Sequence, residues 1–318
     1  MFLESFKISV LAVAQIFILG AVGYFLMKKD ILGEVCLDIL SRLTIDVTLP
    51  ILIFCQLLQG FSFSLYKDWW IFPLLSIAIT ALGFAAGFIF SIFIPGKQHK
   101  LQFVSLVAFQ NSGYLPLALI AALLPADKIN TMFIYLFLFL AGFNLVMWSV
   151  GVHMLSSSAG KKFELGSLFS PPVIATLLGL AAVLVGLNKV TPAFILKPMR
   201  MIGDCTLPLS MLVVGGSLAQ IHLGRIDKRA IFFLALAKLI LLPLIGLAVI
   251  SRLRLPELLG LLMIIQLAMP PATSLSLIIR HYKKEDLLIN QGIFFGHLFS
   301  IVSLPVFLSF YFMSGVIQ

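Results

Sequence analysis

The chain has 318 residues, 61% hydrophobic and only 11% charged, with a formal net charge of +9 and a mean hydropathy of +1.12. A soluble domain is roughly half apolar and a quarter charged, and 29 Phe would leave large apolar patches against water. A soluble globule and a disordered chain are excluded, and an integral membrane protein is expected. The cysteines Cys36, Cys55 and Cys205 have no paired spacing and supply neither a disulfide framework nor a zinc site. The basic balance fits loops rich in Lys and Arg better than nucleic-acid binding.

A helix needs roughly 20 apolar residues to cross ~30 Å of hydrocarbon. Ten segments meet this in chain order: residues 8–27, 39–60, 69–94, 102–124, 131–155, 171–187, 194–220, 230–251, 256–280 and 287–314. Charged or turn-forming clusters separate them, among them Lys28-Lys29-Asp30, Pro95-Gly96-Lys97, Ser156 to Lys162 and Lys283 to Asp286. The loops are short, so no soluble domain is expected. In the first segment Glu4 and Lys7 cancel and the positive pair Lys28 and Lys29 follows the apolar run, which reads as a retained helix and not a signal peptide. The side holding the N-terminus carries 8 Lys and Arg against 13 on the other, with Lys238 left inside a helix. The richer side is expected to be cytoplasmic. The reading is a multi-pass protein of the cell (inner or plasma) membrane with both termini outside.

An internal repeat organises the chain. The second segment contains Arg42-Leu-Thr-Ile-Asp46-Val-Thr48-Leu49-Pro50 and the seventh Arg200-Met-Ile-Gly-Asp204-Cys-Thr206-Leu207-Pro208. Both read RxxxDxTLP at an offset of 158 residues, half the chain. Five segments per half is an odd number, so the second half enters the membrane from the opposite side. The expected fold is an all-α polytopic membrane protein of ten transmembrane helices in two inverted five-helix repeats, residues 1–160 and 161–318, forming one membrane domain.

The repeat predicts matched interruptions. The fourth segment holds Gln110-Asn111-Ser112-Gly113-Tyr114-Leu115-Pro116 and the ninth Gln266 followed by Pro270-Pro271-Ala272. Proline removes a backbone donor and restrains the residue before it, so broken helices are expected at mid-membrane. The second half-helices should begin near Pro116 and near Pro271 or Ala272. Unpaired backbone there is tolerated only beside protein or a water-filled cavity, and each helix start offers free N–H groups suited to a carboxylate.

These residues resemble the auxin efflux carrier family, the bacterial organic-acid permeases and plant PIN-type carriers, over essentially the whole chain. The similarity is carried by Val47 to Phe54, Asn111 to Pro116, Pro208 to Leu218 with Gly215-Gly216, Met269 to Ala272, and Ser303-Leu304-Pro305. The resemblance implies ten helices in two inverted fives, with broken helices 4 and 9 crossing at their prolines. It also implies transport of small organic anions such as malate, malonate or auxin-like acids, and kinship in fold with the bile acid–sodium symporters. The family's fourth-helix break is usually richer in glycine than residues 111–116.

The polar membrane residues have two readings each. Asp46 and Asp204 are the only acids deep in helices, which makes them functional candidates, yet each sits four residues after an arginine and would equally serve a structural pair. Lys238, about eight residues into its helix, attracts an anion, replaces a bound Na⁺, or snorkels to the interface. His297 is either a proton-coupling group or a packed neutral ring. Gln110, Asn111, Gln266, Asn144 and Gln291 contact substrate or bridge helices; Asn111, inside the break, is the strongest site candidate and Gln266 the next. Tyr114 lines the cavity or packs.

No paired acids for Mg²⁺, no GxSxG and no P-loop occur in the sequence, which argues against an enzyme or ATPase. The expected function is a secondary carrier, by efflux or exchange, of small carboxylates. The substrate would bind at Gln110, Asn111, Ser112, Gly113, Tyr114, Pro116, Gln266, Pro270, Pro271 and Ala272, with Asp46, Asp204, Lys238 and His297 as coupling or charge candidates. The alternatives are a sodium-coupled bile-acid-type symporter and an anion channel. No cofactor or metal is expected beyond H⁺ or Na⁺ as coupling ion. The expected partners are the organic anion and the lipid bilayer, not nucleic acid, with a homodimer as the candidate assembly. The resemblance assigns helices 1, 2, 6 and 7 to a scaffold and helices 3–5 and 8–10 to a moving core.

Overall fold

The computed structural model describes residues 2–156, 169–281 and 287–313. The expected repeat boundary at 160/161 and the separators at 157–162 and 283–286 lie outside the described residues. Among the described residues the structure is helical, with a single isolated β-bridge. In chain order the helices are α1 (Phe2–Lys28), α2 (34–60), α3 (Ile71–Phe93), α4 (Lys97–Ala108), α5 (Tyr114–Leu123), α6 (Ala126–Leu155), α7 (Pro171–Leu184), the short α8 (Leu187–Val190), α9 (Ala193–Ala219), α10 (Lys228–Leu253), α11 (Glu257–Ala268), α12 (Ser274–His281) and α13 (Leu287–Met313). Six of these, α1, α3, α6, α9, α10 and α13, are long and apolar enough to cross a membrane, and α5, α7 and α11 are shorter apolar helices. At ~1.5 Å per residue even a 23-residue helix exceeds the ~30 Å of hydrocarbon. Large apolar side chains such as Phe25, Leu74, Phe88, Leu178, Met201 and Phe232 are exposed, as a hydrocarbon solvent permits. The chain is a polytopic, all-helical membrane protein.

The fourth and ninth apolar segments are each two helices, α4 and α5, and α11 and α12. The second halves begin within two or three residues of the positions the prolines suggest. α5 starts at Tyr114, two residues before Pro116; a proline in the first turn is harmless because that N–H has no intrahelical acceptor. α12 starts at Ser274, beyond Pro270 and Pro271. Met269, ahead of the first proline, is extended at φ −66°, ψ 143°, the conformation a following proline enforces.

Packing divides the helices into neighbourhoods. α1 lies along α9, and α2 along α7 and α9; α3 packs on α4 and α6, and α11 on α10 and α13; α1 also meets α13 and α5. The α1–α9 seam is a backbone contact: a Cβ at Gly215 would strike the Gly20 carbonyl, and one at Gly23 the backbone of Leu212. Small residues permit such approach, and dispersion between backbones then holds the pair. At one end of the bundle Lys128 Nζ pairs with Glu257 at 2.7 and 3.0 Å, and the Tyr311 hydroxyl donates to the Glu257 carbonyl at 2.5 Å. This joins the starts of α6 and α11 to the end of α13. Elsewhere Gln291 Nε2 donates to the carbonyls of Leu223 and Arg225 at 2.6 and 2.9 Å, and its Oε1 accepts from the Asp227 amide at 3.0 Å. Gln291 therefore ties the loop before α10 to α13.

Candidate functional site

The two interruptions cross each other. The Asn111 amide donates to the Pro270 carbonyl at 2.8 Å and the Ala272 amide to the Phe109 carbonyl at 2.9 Å; between them Gln110 and Pro271 form an antiparallel bridge. Each broken helix thus supplies partners for backbone that the other has freed, which answers the requirement that no polar backbone be left unpaired in hydrocarbon. Gln266 reaches across from α11 to donate Nε2 to the Ser112 carbonyl at 3.1 Å. Behind the crossing α13 sits close, for a Cβ at Gly296 would press into the Pro271 ring.

Beside the crossing lies a cavity of ≈ 480 Å³. Its lining comes from residues 110–114, from Ala272, Thr273 and Ser274, from Asp46 and Leu49 of α2, from Asn144 and Trp148 of α6, and from residues 169–172 at the start of α7. Several buried polar atoms here have no partner among the described residues: both side-chain polar atoms of Gln110, Asn111 Nδ2, Ser112 Oγ, the Tyr114 hydroxyl and Ser170 Oγ. Buried polar groups are normally satisfied, so this cluster stands out. Asn111 Oδ1 accepts the Leu115 amide at a long 3.4 Å, at the first turn of α5. What the arrangement offers is hydrogen-bond donation from amide and hydroxyl groups near two helix N-termini.

Of the residues expected at a site, Gln110, Asn111, Ser112, Gly113, Tyr114 and Ala272 line this cavity. Pro270 and Pro271 belong to the crossing strand, Pro116 lies inside α5, and Gln266 sits fully buried behind Ser112. Asp46 lines the cavity, whereas Asp204 does not. Asp204 Oδ1 accepts from Arg200 Nε at 2.8 Å, and Arg200 also donates to Gln56 Oε1 at 2.6 Å. Among the described residues no ion pair joins Arg42 to Asp46; the helix there widens into a π-turn over Leu43–Thr48, which re-aims the positions it contains. Lys238 is 1% exposed and is packed near Pro271, Phe295, Gly296 and Phe299, away from the cavity lining. His297 Nδ1 bonds the Ile293 carbonyl at 2.8 Å and also lies outside the cavity. Sequence reasoning did not assign Trp148, Ser170, Thr273 or Ser274 to a site, and took Asn144 only as a substrate contact or helix bridge. The apolar segment 171–187 began just after Ser170, but nothing in it told which cavity that start would face.

A crossing of two broken helices buried among apolar spans, beside a cavity lined by polar groups, is the architecture of a multi-pass membrane protein. Comparison with known proteins agrees. The model of the family described as "Membrane transport protein" matches residues 8–164 and 157–308, and the chain belongs to this auxin efflux carrier group, a family of transporters and not of enzymes. It is also similar to Protein PIN-LIKES 6 of Arabidopsis thaliana, 30% identical over 124 residues, which are 38% of this chain and 29% of that protein.

Proposed function

We propose that the chain is a secondary carrier of small organic anions that works by alternating access. The observation that carries this is the unpartnered amide and hydroxyl cluster of Asn111, Ser112 and Tyr114, beside a cavity of ≈ 480 Å³ at the crossing. A carboxylate accepts from such donors, and hydrogen bonds to a charged group are the stronger kind. The starts of α5 and α12 add partial positive charge on the same side. A compact mono- or dicarboxylate of malate size fits that volume.

In this reading the second segment (α2), the pairs α4–α5 and α11–α12, and α7 with α8 join the six long helices to make ten crossings in two inverted fives. The shared RxxxDxTLP motif and the reciprocal α4–α5 and α11–α12 breaks support the duplication. α1, α2, α7 and α9 form the scaffold, and the α3–α6 and α10–α13 groups move against it. The Lys and Arg distribution supports both termini outside the cell membrane. Asp46, on the cavity wall, is the side chain this reading assigns to coupling, with H⁺ as the coupling ion.

The test is uptake of radiolabelled malate and malonate into proteoliposomes, with and without a proton gradient, with and without Na⁺, and with unlabelled substrate on the opposite side. Faster uptake with unlabelled malate opposite, and no requirement for Na⁺, is the expected result. Flux without such trans-stimulation would make the protein a channel, and obligatory Na⁺ would place it with the bile-acid-type symporters.

A further inference from the structure

A second cavity, ≈ 320 Å³ in volume, opens between α1, α9 and α13. Its walls include Gly20 and Tyr24 of α1, Met211 and Gly215 of α9, and His297 and Ile301 of α13. Apart from Tyr24 and His297 the lining side chains are apolar. One wall is rigid, because α1 and α9 meet backbone to backbone at Gly20 and Gly215. The opposite wall is α13, which carries His297. The volume falls within the ~300–1,000 Å³ of small-molecule sites, where a mostly apolar lining and one or two placed polar groups are the rule.

His297 is 1% exposed. Its Nδ1 contacts the Ile293 carbonyl at 2.8 Å, and a carbonyl only accepts, so Nδ1 carries the hydrogen. Nε2 of the neutral ring is then a bare acceptor, and it has no partner among the described residues. A buried acceptor left unmade is costly, and in hydrocarbon no solvent repairs it.

We propose that this groove binds a lipid-soluble alcohol, an uncharged molecule with an aliphatic or aryl body and one hydroxyl that donates to His297 Nε2. An ionised carboxylate finds no donor on His297, which separates this groove from the cavity at the crossing. The proposal does not depend on the anion-carrier reading and is tested with no carboxylate present.

The probe is a hexadecan-1-ol bearing a terminal diazirine, photolysed with the full chain in phosphatidylcholine nanodiscs and mapped by peptide mass spectrometry. Labelling is expected on α1, α9 and α13. Unlabelled hexadecan-1-ol should compete about 5-fold better than its methyl ether, which cannot donate, as one neutral hydrogen bond would give. His297→Phe keeps the aromatic body and should abolish that preference while labelling persists. Leu298→Trp, which fills the groove from an exposed position, should abolish the labelling itself. Equal competition by alcohol and ether, a preference that survives His297→Phe, or labelling confined to other helices would each overturn the assignment.

Discussion

Replacing Asn111 separates a binding role from a structural one. Its structural part is small. Oδ1 accepts the Leu115 amide at 3.4 Å, beyond the usual range, and the crossing bond from the Asn111 amide to Pro270 is made by backbone and survives any side chain. Asn111→Ala should therefore cost about 0.5 kcal/mol of stability, the low end for a helix cap. Its Nδ2 is buried and unpartnered, and a neutral donor to a carboxylate contributes about 1.5–3 kcal/mol. Loss of that donor weakens anion affinity by about 10- to 150-fold. Asn111→Asp tests charge as well. It keeps an acceptor for the Leu115 amide, but a carboxylate at this buried position is costly to desolvate, so stability should fall further than for alanine, and the negative charge set against the substrate should lower transport further too. Concentration-dependent malate uptake in proteoliposomes reads the first effect, and the unfolding midpoint of purified protein reads the second. If the alanine and aspartate variants transported with wild-type affinity, the cluster at the crossing would not be the binding site.

Three further changes probe other parts of the molecule. Asp46→Asn should reduce proton-driven malate accumulation to the gradient-free rate while leaving exchange intact, and undiminished accumulation would remove Asp46 from coupling. Gly215→Leu drives a side chain into the Gly20 carbonyl, which cannot move as a flexible side chain would; a loss of about 1–3 kcal/mol or outright failure to assemble is expected, and an unchanged unfolding midpoint would refute the backbone seam. Lys238→Met removes a fully buried ammonium whose desolvation opposes folding, so the midpoint should hold or rise. If the cation near Pro271 contributes to anion binding, affinity for malate should fall several-fold in the same variant, and an unchanged affinity would mark Lys238 as irrelevant to substrate.

Much of the architecture was legible because hydrocarbon imposes simple rules. The apolar runs end within a few residues of the helices, as 171–187 does beside Pro171–Leu184. The prolines located both breaks, since their missing donors act wherever they fall. Arg200 and Asp204 meet as their spacing requires. The same spacing failed for Arg42 and Asp46 because the intervening helix is π, and no residue pattern in Leu43–Thr48 announces a wider turn. Long-range reach was equally hidden. Gln266 and Ser112 are 154 positions apart, and only the crossing of the two breaks brings them together.

The three π-turns among the described residues bear on where the polar residues sit. They span Leu43–Thr48, Met147–Gly151 and Ala235–Leu241. The first contains Asp46 and the second Met147 and Trp148, all on the cavity wall; the third contains Lys238, packed beside Pro271. A π-turn adds a residue without a full turn of rise, so the helix after it is rotated by about 100° relative to an uninterrupted α-helix. In a membrane that rotation matters more than in water, because a charged or amphipathic side chain displaced from the bundle interior would meet lipid. The repeat motif in α2 and α9 then serves two ends. In α9, where the helix passes from Asp204 through a single turn residue to Thr206, the acid stays with its arginine at an exposed position. In α2 the π-turn detaches the acid from its arginine and presents it to the cavity. The same sequence motif thus serves once as an exposed ion pair and once as part of the cavity wall.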